Sequence, residues 1–282
     1  MLLVAPHRLA FSLAMLILVA ASGWWLLVQV DRVHGWFGLG YAVSPTLTHA
    51  AAMVFGFMPL FFVGFLFTAG PNWLRVEHPT TRQVLWPLVL QAAGWLLWLA
   101  GAHLHAGLAL AGLVLACAGL AWVVGLFWRL ILASRAPDRM HARTAGVGGI
   151  VGMLCLAGTG IAFSAGQDAL ALLLVRSALW GFIVVTYVSV AHRMIPFFTA
   201  NVLPAIQLWR PYWLLWLMLG TAAFEVLALW VDFARPDDGS GTAWTLLVIA
   251  VELAAGAVLL WLAVVWGLVQ SLKIRLLAML HV

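Results

Sequence analysis

Apolar residues run almost unbroken through most of this chain, and the polar ones gather into short intervals between the runs. A helix needs about 20 apolar residues to cross the hydrocarbon core of a bilayer. Read at that length, the pattern predicts eight spans, at residues 9–30, 45–70, 84–102, 108–130, 145–165, 169–191, 212–234 and 243–270. The intervals are short, with 131–144 the most polar, so they leave no separate soluble domain. An isolated helix satisfies its own backbone in lipid and an open sheet does not. The expected fold is therefore all-α, a polytopic transmembrane helical bundle forming a single membrane domain over residues 1–282. The first span lacks a small-residue cleavage site and is too long for a signal-peptide core, so it is expected to be retained. After Lys273 and Arg275, the run ending Leu280-His281-Val282 reads like the start of a ninth span. Either it is a short interfacial tail or the chain is a C-terminally truncated fragment, which is the expectation.

Composition agrees, with 65% apolar residues, 8% charged and a mean hydropathy of +1.08, far outside the range of soluble domains. The net charge of +5 comes from basic residues scattered between spans, so it argues for membrane orientation and against nucleic-acid binding. With the N-terminus inside, Arg8, Arg75, Arg82, Arg129, Arg135, Arg139, Arg143, Arg193, Arg210, Lys273 and Arg275 face the cytoplasm. Only Arg32 and Arg235 then face outward, and Arg176 lies within span six. Tryptophans near span ends (Trp24, Trp25, Trp36, Trp73, Trp86, Trp213, Trp244) fit headgroup anchors first and cofactor walls second. Spans two and six both run inward and both end on related sequences, Phe65-Leu-Phe-Thr68-Ala and Pro196-Phe-Phe-Thr199-Ala. A parallel repeat of four helices, with halves 1–143 and 144–282, would explain the echo.

Polar residues inside the bilayer are costly and therefore informative. Ser44-Pro45 has the residue types of a helix start, which puts His49 one turn inside span two, about 6 Å down. The same arithmetic puts Arg176 roughly 10 Å, and Glu225 and Glu252 about 13 Å, below the outer ends of their spans. These three read either as an ion-pair cluster or, for Arg176, as a partner for an anionic ligand such as a haem propionate. Of the nine histidines, His34, His49, His103 and His105 lie outward; His7, His78, His141, His192 and His281 lie toward the cytoplasm. His7, His78 and His141 are expected to be solvated. Imidazole suits haem iron or copper, and the thioether of Met suits copper(I). Cys117 and Cys155 show no CxxC or CxxCH pattern and read as packing residues.

Thr48-His49-Ala-Ala-Ala-Met53-Val-Phe-Gly-Phe57, followed by Gly64-Phe-Leu-Phe-Thr-Ala-Gly-Pro-Asn72-Trp73, resembles the signature helix of the NnrS family. These are bacterial membrane proteins containing haem and copper and associated with nitric-oxide resistance. Arg193-Met-Ile-Pro196-Phe-Phe-Thr-Ala-Asn201 resembles a second family signature, and Leu277-Ala-Met-Leu-His281 the start of a later histidine-bearing helix. The likeness covers roughly residues 40–282, and since members typically have more spans than this chain it also favours truncation. Many members carry His-x-His-Glu-Met where this chain has His49-Ala-Ala51-Ala52-Met53, so the second histidine and the glutamate are missing.

The resemblance implies a bacterial inner-membrane protein holding haem, with copper in doubt, that protects against nitric oxide or nitrosylated iron. Binding is expected, not turnover, because no electron input or proton path is identified; a homo-oligomer is open. It implies metal roles for His49, His192, His281 and Met53, with His103 or His105 as outer partners. Arg176 and Arg193 become polar partners of the cofactor, and Pro196 is expected to end the helix beside His192. His49 and His192 are expected on the order of 20 Å apart across the bilayer, hence either two sites or only one of the two histidines as a ligand. The alternative is a transporter of a small molecule or ion using Arg176, Glu225 and Glu252.

Overall fold

A computed structural model describes residues 5–203, 206–235 and 241–281, with side chains through Met279 in the last stretch. Among the described residues, eight helices are long and apolar enough to cross a membrane: α1 (Pro6–His34), α2 (Pro45–Leu74), α3 (Thr81–Leu104), α4 (Ala106–Ala133), α5 (Met140–Ser164), α6 (Asp168–Val202), α7 (Tyr212–Ala234) and α8 (Thr242–Val265). Two short helices follow, α9 (Leu268–Ser271) and α10 (Arg275–His281), and no strand occurs among the described residues. The chain divides into two compact units, Met1–Ile183 and Val184–Val282, with the division inside α6.

α2 starts at Pro45 as the Ser44-Pro45 pair predicts, although the Ser44 hydroxyl makes no cap bond. Instead the Ser44 carbonyl accepts from the Thr48 amide at 2.9 Å and the Thr48 hydroxyl at 3.0 Å. Two helices carry a six-residue π turn, Ala52–Phe57 in α2 and Leu179–Val184 in α6. His49 stands three residues before the first, and Arg176 three before the second. The echo between spans two and six thus extends from sequence to backbone geometry. π turns widen the helix locally and often occur at functional sites.

Three expectations are corrected. Pro196 does not end its helix, which continues to Val202. A single proline removes one amide donor, here the one that would meet the His192 carbonyl, and a membrane helix tolerates that loss. His141 is not solvated; it is 2% exposed in the first turns of α5. The last span stops at Val265, short of 270, because Gly267 turns the chain at φ 93°.

The α3–α4 hairpin is held by glycines at seven-residue spacing, Gly94 and Gly101 on α3, Gly112 and Gly119 on α4. A Cβ on Gly94 would lie 2.6 Å from both the Ala116 amide nitrogen and the Gly112 carbonyl oxygen. One on Gly112 would lie 2.6 Å from the Gly94 carbonyl oxygen and 2.7 Å from the Trp98 amide nitrogen. Small residues that let backbones touch are the usual means of helix association in lipid, where water no longer drives burial.

Candidate functional site

In the first unit, His49 is set at the end of α2 that the charge bias assigns to the outside. The Trp25 ring of α1 stacks on its imidazole, centroids 4.5 Å apart and planes 15° from parallel. The Arg32 guanidinium lies over that same indole at 5.7 Å. Trp98 of α3 donates its indole N–H to the Thr48 carbonyl at 3.1 Å, fixing the turn that carries His49. Just below, the π turn brings Gly56 against the Trp95 ring, where a Cβ would sit 3.0 Å away. With these contacts made, His49 Nδ1 is buried and has no hydrogen-bond partner. A buried polar atom left unpaired costs roughly 1–3 kcal/mol; Tyr41 Oη and Trp95 Nε1 nearby are unpaired as well, and of the three only His49 Nδ1 is an imidazole nitrogen, a common metal ligand.

His103 is close by and differently committed. Trp24 Nε1–H donates to His103 Nε2 at 2.7 Å, so the proton sits on Nδ1, which donates to the Gly40 carbonyl at 2.9 Å. Both ring nitrogens are occupied, and metal ligation would require breaking one of these bonds. His105 is exposed and caps α4, its Nδ1 accepting from the Gly107 amide at 3.0 Å. Met53 follows His49 by four residues and falls in the π turn.

The loop 35–44 covers this cluster. Asp31 at the end of α1 holds it, Oδ1 accepting from the Phe37 and Gly38 amides at 2.7 and 3.0 Å and Oδ2 from Leu39 at 2.8 Å. The Ala102 carbonyl anchors the loop's far side by accepting from the Ala42 and Val43 amides. Tyr41 packs 5.2 Å from the His103 ring. Burial and the Asp31 carboxylate push its phenol above the ordinary range, and its buried hydroxyl has no hydrogen-bond partner. Asp31→Ala removes three hydrogen bonds to one carboxylate at once; the Phe37, Gly38 and Leu39 amides are expected to exchange faster with deuterium, with exchange in α3 unchanged.

In the second unit His192 is fully buried. Its Nε2–H donates to the Pro211 carbonyl at 3.1 Å, which puts the ring's lone pair on Nδ1. Tyr212 stacks on the imidazole at 6.4 Å and Trp266 meets it edge-on at 6.0 Å. Trp266 is itself held by the Trp209 carbonyl at 3.1 Å and by a core of Leu214, Met218 and Leu262. Arg193 beside it is half-buried. Glu225 of α7 is 8% exposed and feels the charge of the exposed Glu252 on α8. Arg176, in the first unit, is exposed on α6, and the side chain of His281 lies outside the described residues. No group of three or more His, Cys, Asp or Glu suited to a metal occurs among the described residues.

The builders that sequence reasoning missed are Tyr41 and Asp31; the Trp24-Trp25 doublet opposite His49 reads from sequence as a headgroup anchor first and a cofactor wall second. A family model described as NnrS protein matches residues 1–282. No curated protein and no solved structure matches.

Proposed function

The chain belongs to the NnrS family, and from that premise we propose that it is a haem-holding inner-membrane protein that protects against nitric oxide or nitrosylated iron. At the level of the family it is a membrane protein of the nitric-oxide stress response. The observation that carries the finer reading is the buried, unpartnered Nδ1 of His49 in the family's signature helix. A porphyrin brings its own in-plane nitrogens and asks the protein for only one or two axial ligands. A copper ion held by protein alone needs several donors together, and the described residues offer no such group. A lone buried imidazole therefore fits haem better than copper, and Ala51 and Ala52, in place of the family's histidine and glutamate, point the same way.

In this reading His49 supplies the outer ligand and the Trp25 stack fixes the plane of its ring. His192 is the inner candidate: donation of the second ring N–H to a backbone carbonyl is how ligating imidazoles are usually oriented. His281 remains its proposed partner, and Arg193 and Arg176 are the cations suited to propionates. Bound haem would supply an iron centre with affinity for nitric oxide.

The test is an absorption spectrum of protein purified after haem-replete expression. A Soret band with a pyridine haemochromogen is expected. A colourless protein would overturn the haem reading and favour the second one, an ion or small-molecule transporter, for which the nearby Glu225 and Glu252 are the supporting observation.

A further inference from the structure

At the opposite end of the first unit, a pocket of about 320 Å³ opens where the loop after α2 meets the end of α4, lined by Glu77, His78, Gln83, Leu126, Arg129 and Leu130 among others. Its volume is at the small end of the range for specific small-molecule sites. Arg129 stands one turn before Ala133, the end of α4, so it lies about 6 Å inside the helix end, at headgroup depth. The charge bias assigns this end to the cytoplasmic leaflet.

Hydrogen bonds fix what each polar group in the lining still offers. Asn72 donates its amide N–H to the Thr68 carbonyl at 3.1 Å, so its Oδ1 accepts from His78 Nε2–H at 3.2 Å. His78 Nδ1 is then an acceptor. Gln83 Oε1 accepts from the Thr80 amide at 2.8 Å and hydroxyl at 3.2 Å, which leaves its NH2 as a donor. Glu77 and Arg129 line the same pocket, yet no ion pair joins them, or either of them to another group, among the described residues. The lining thus presents two donors, Arg129 and Gln83, and two acceptors, Glu77 and His78, with Leu126 and Leu130 forming its apolar side.

We propose that this pocket binds a phospholipid with a primary-amine headgroup, phosphatidylethanolamine in chemical class. The phosphate, acceptor only, would take the Arg129 and Gln83 donors, and the ammonium, donor only, would take Glu77 and His78 Nδ1. The glycerol and acyl chains would follow Leu126 and Leu130 into the bilayer. Phosphatidylcholine carries its charge on a methylated nitrogen with no N–H to give, and phosphatidylglycerol offers only neutral hydroxyls, so neither gives Glu77 a charge-assisted N–H bond.

The full chain in detergent is offered an equimolar mixture of the three lipids with identical acyl chains, and retained lipid is counted by native mass spectrometry. The expected result is a preference for phosphatidylethanolamine over phosphatidylcholine of roughly tenfold, the scale of one charge-assisted hydrogen bond. Glu77→Gln should bring that ratio close to one. Arg129→Gln should lower retention of all three lipids, and Arg129→Lys should restore most of it. Equal retention of the two lipids by the unaltered protein overturns the proposal, and this comparison stands whatever the variants do. A preference that survives Glu77→Gln overturns it as well. Soluble glycerophosphoethanolamine binding as tightly as the lipid would identify a water-soluble ligand and overturn the lipid assignment.

Discussion

His49→Ala is expected to strip most of the haem from the purified protein or to shift its Soret band, while His34→Ala leaves both unchanged. The two histidines belong to the same end of the molecule and differ in commitment. His34 is exposed and stacks on Trp36 at 4.4 Å; His49 is packed under Trp25 with an unpartnered buried Nδ1. Removing an outer-shell partner of a metal ligand typically costs roughly 10–100-fold in affinity, and removing the ligand itself should exceed that. His141 is unsuitable as the control, because its burial in α5 would mix a packing defect into the spectrum. A wild-type spectrum in His49→Ala would sink the assignment of this residue. The same measurement on His192→Ala tests the second unit independently, and loss of separate fractions of the haem in the two variants would support two sites.

The second large effect is structural. Gly112→Val is expected to destabilise the protein by about 3 kcal/mol or more, at or above the upper end of the usual overpacking cost. Both atoms that its Cβ would meet within 2.7 Å are backbone, the Gly94 carbonyl oxygen and the Trp98 amide nitrogen, so no side-chain rotation relieves the clash. α3 and α4 must separate instead. That displaces Trp98 and His103, which hold the His49 turn and the covering loop, so the spectrum should suffer along with the melting temperature. Gly125, on the same helix, has open space around it, with nothing within 4 Å of where a Cβ would stand. Gly125→Ala should leave the melting temperature unchanged or raise it, since alanine favours a helix by about 1 kcal/mol over glycine. Equal melting temperatures for the two variants would refute the glycine-packed hairpin.

Much of the site was half legible. The position of His49 one turn into α2 followed from Ser44-Pro45, and the placement of His103 and His105 at the α3–α4 turn followed from the length of the spans. The π turns did not, because they are a hydrogen-bond register that no residue type enforces; Ala52-Met-Val-Phe-Gly-Phe57 reads as ordinary apolar helix. The Gly94, Gly101, Gly112 and Gly119 spacing was present to be read, but a seven-residue glycine period shows a packing face without naming the helix that fills it. Pro196 misled because the rule for proline is drawn from helices in water, whereas in lipid breaking the helix would expose several more unsatisfied groups than keeping it does.

What the sequence determined by itself was the number of spans, their starts to within a few residues and the all-helical class. Each depends on a stretch of about 20 residues meeting one solvent, the bilayer, which selects helix locally whatever the rest of the chain does. The tertiary structure alone decided which polar atoms are spent and which remain. Trp24 reaches His103 across 79 positions and Trp98 reaches the Thr48 carbonyl across 50. Those two bonds occupy one histidine and position another, so only packing distinguishes His103, whose nitrogens are both bonded, from His49, whose Nδ1 is left over.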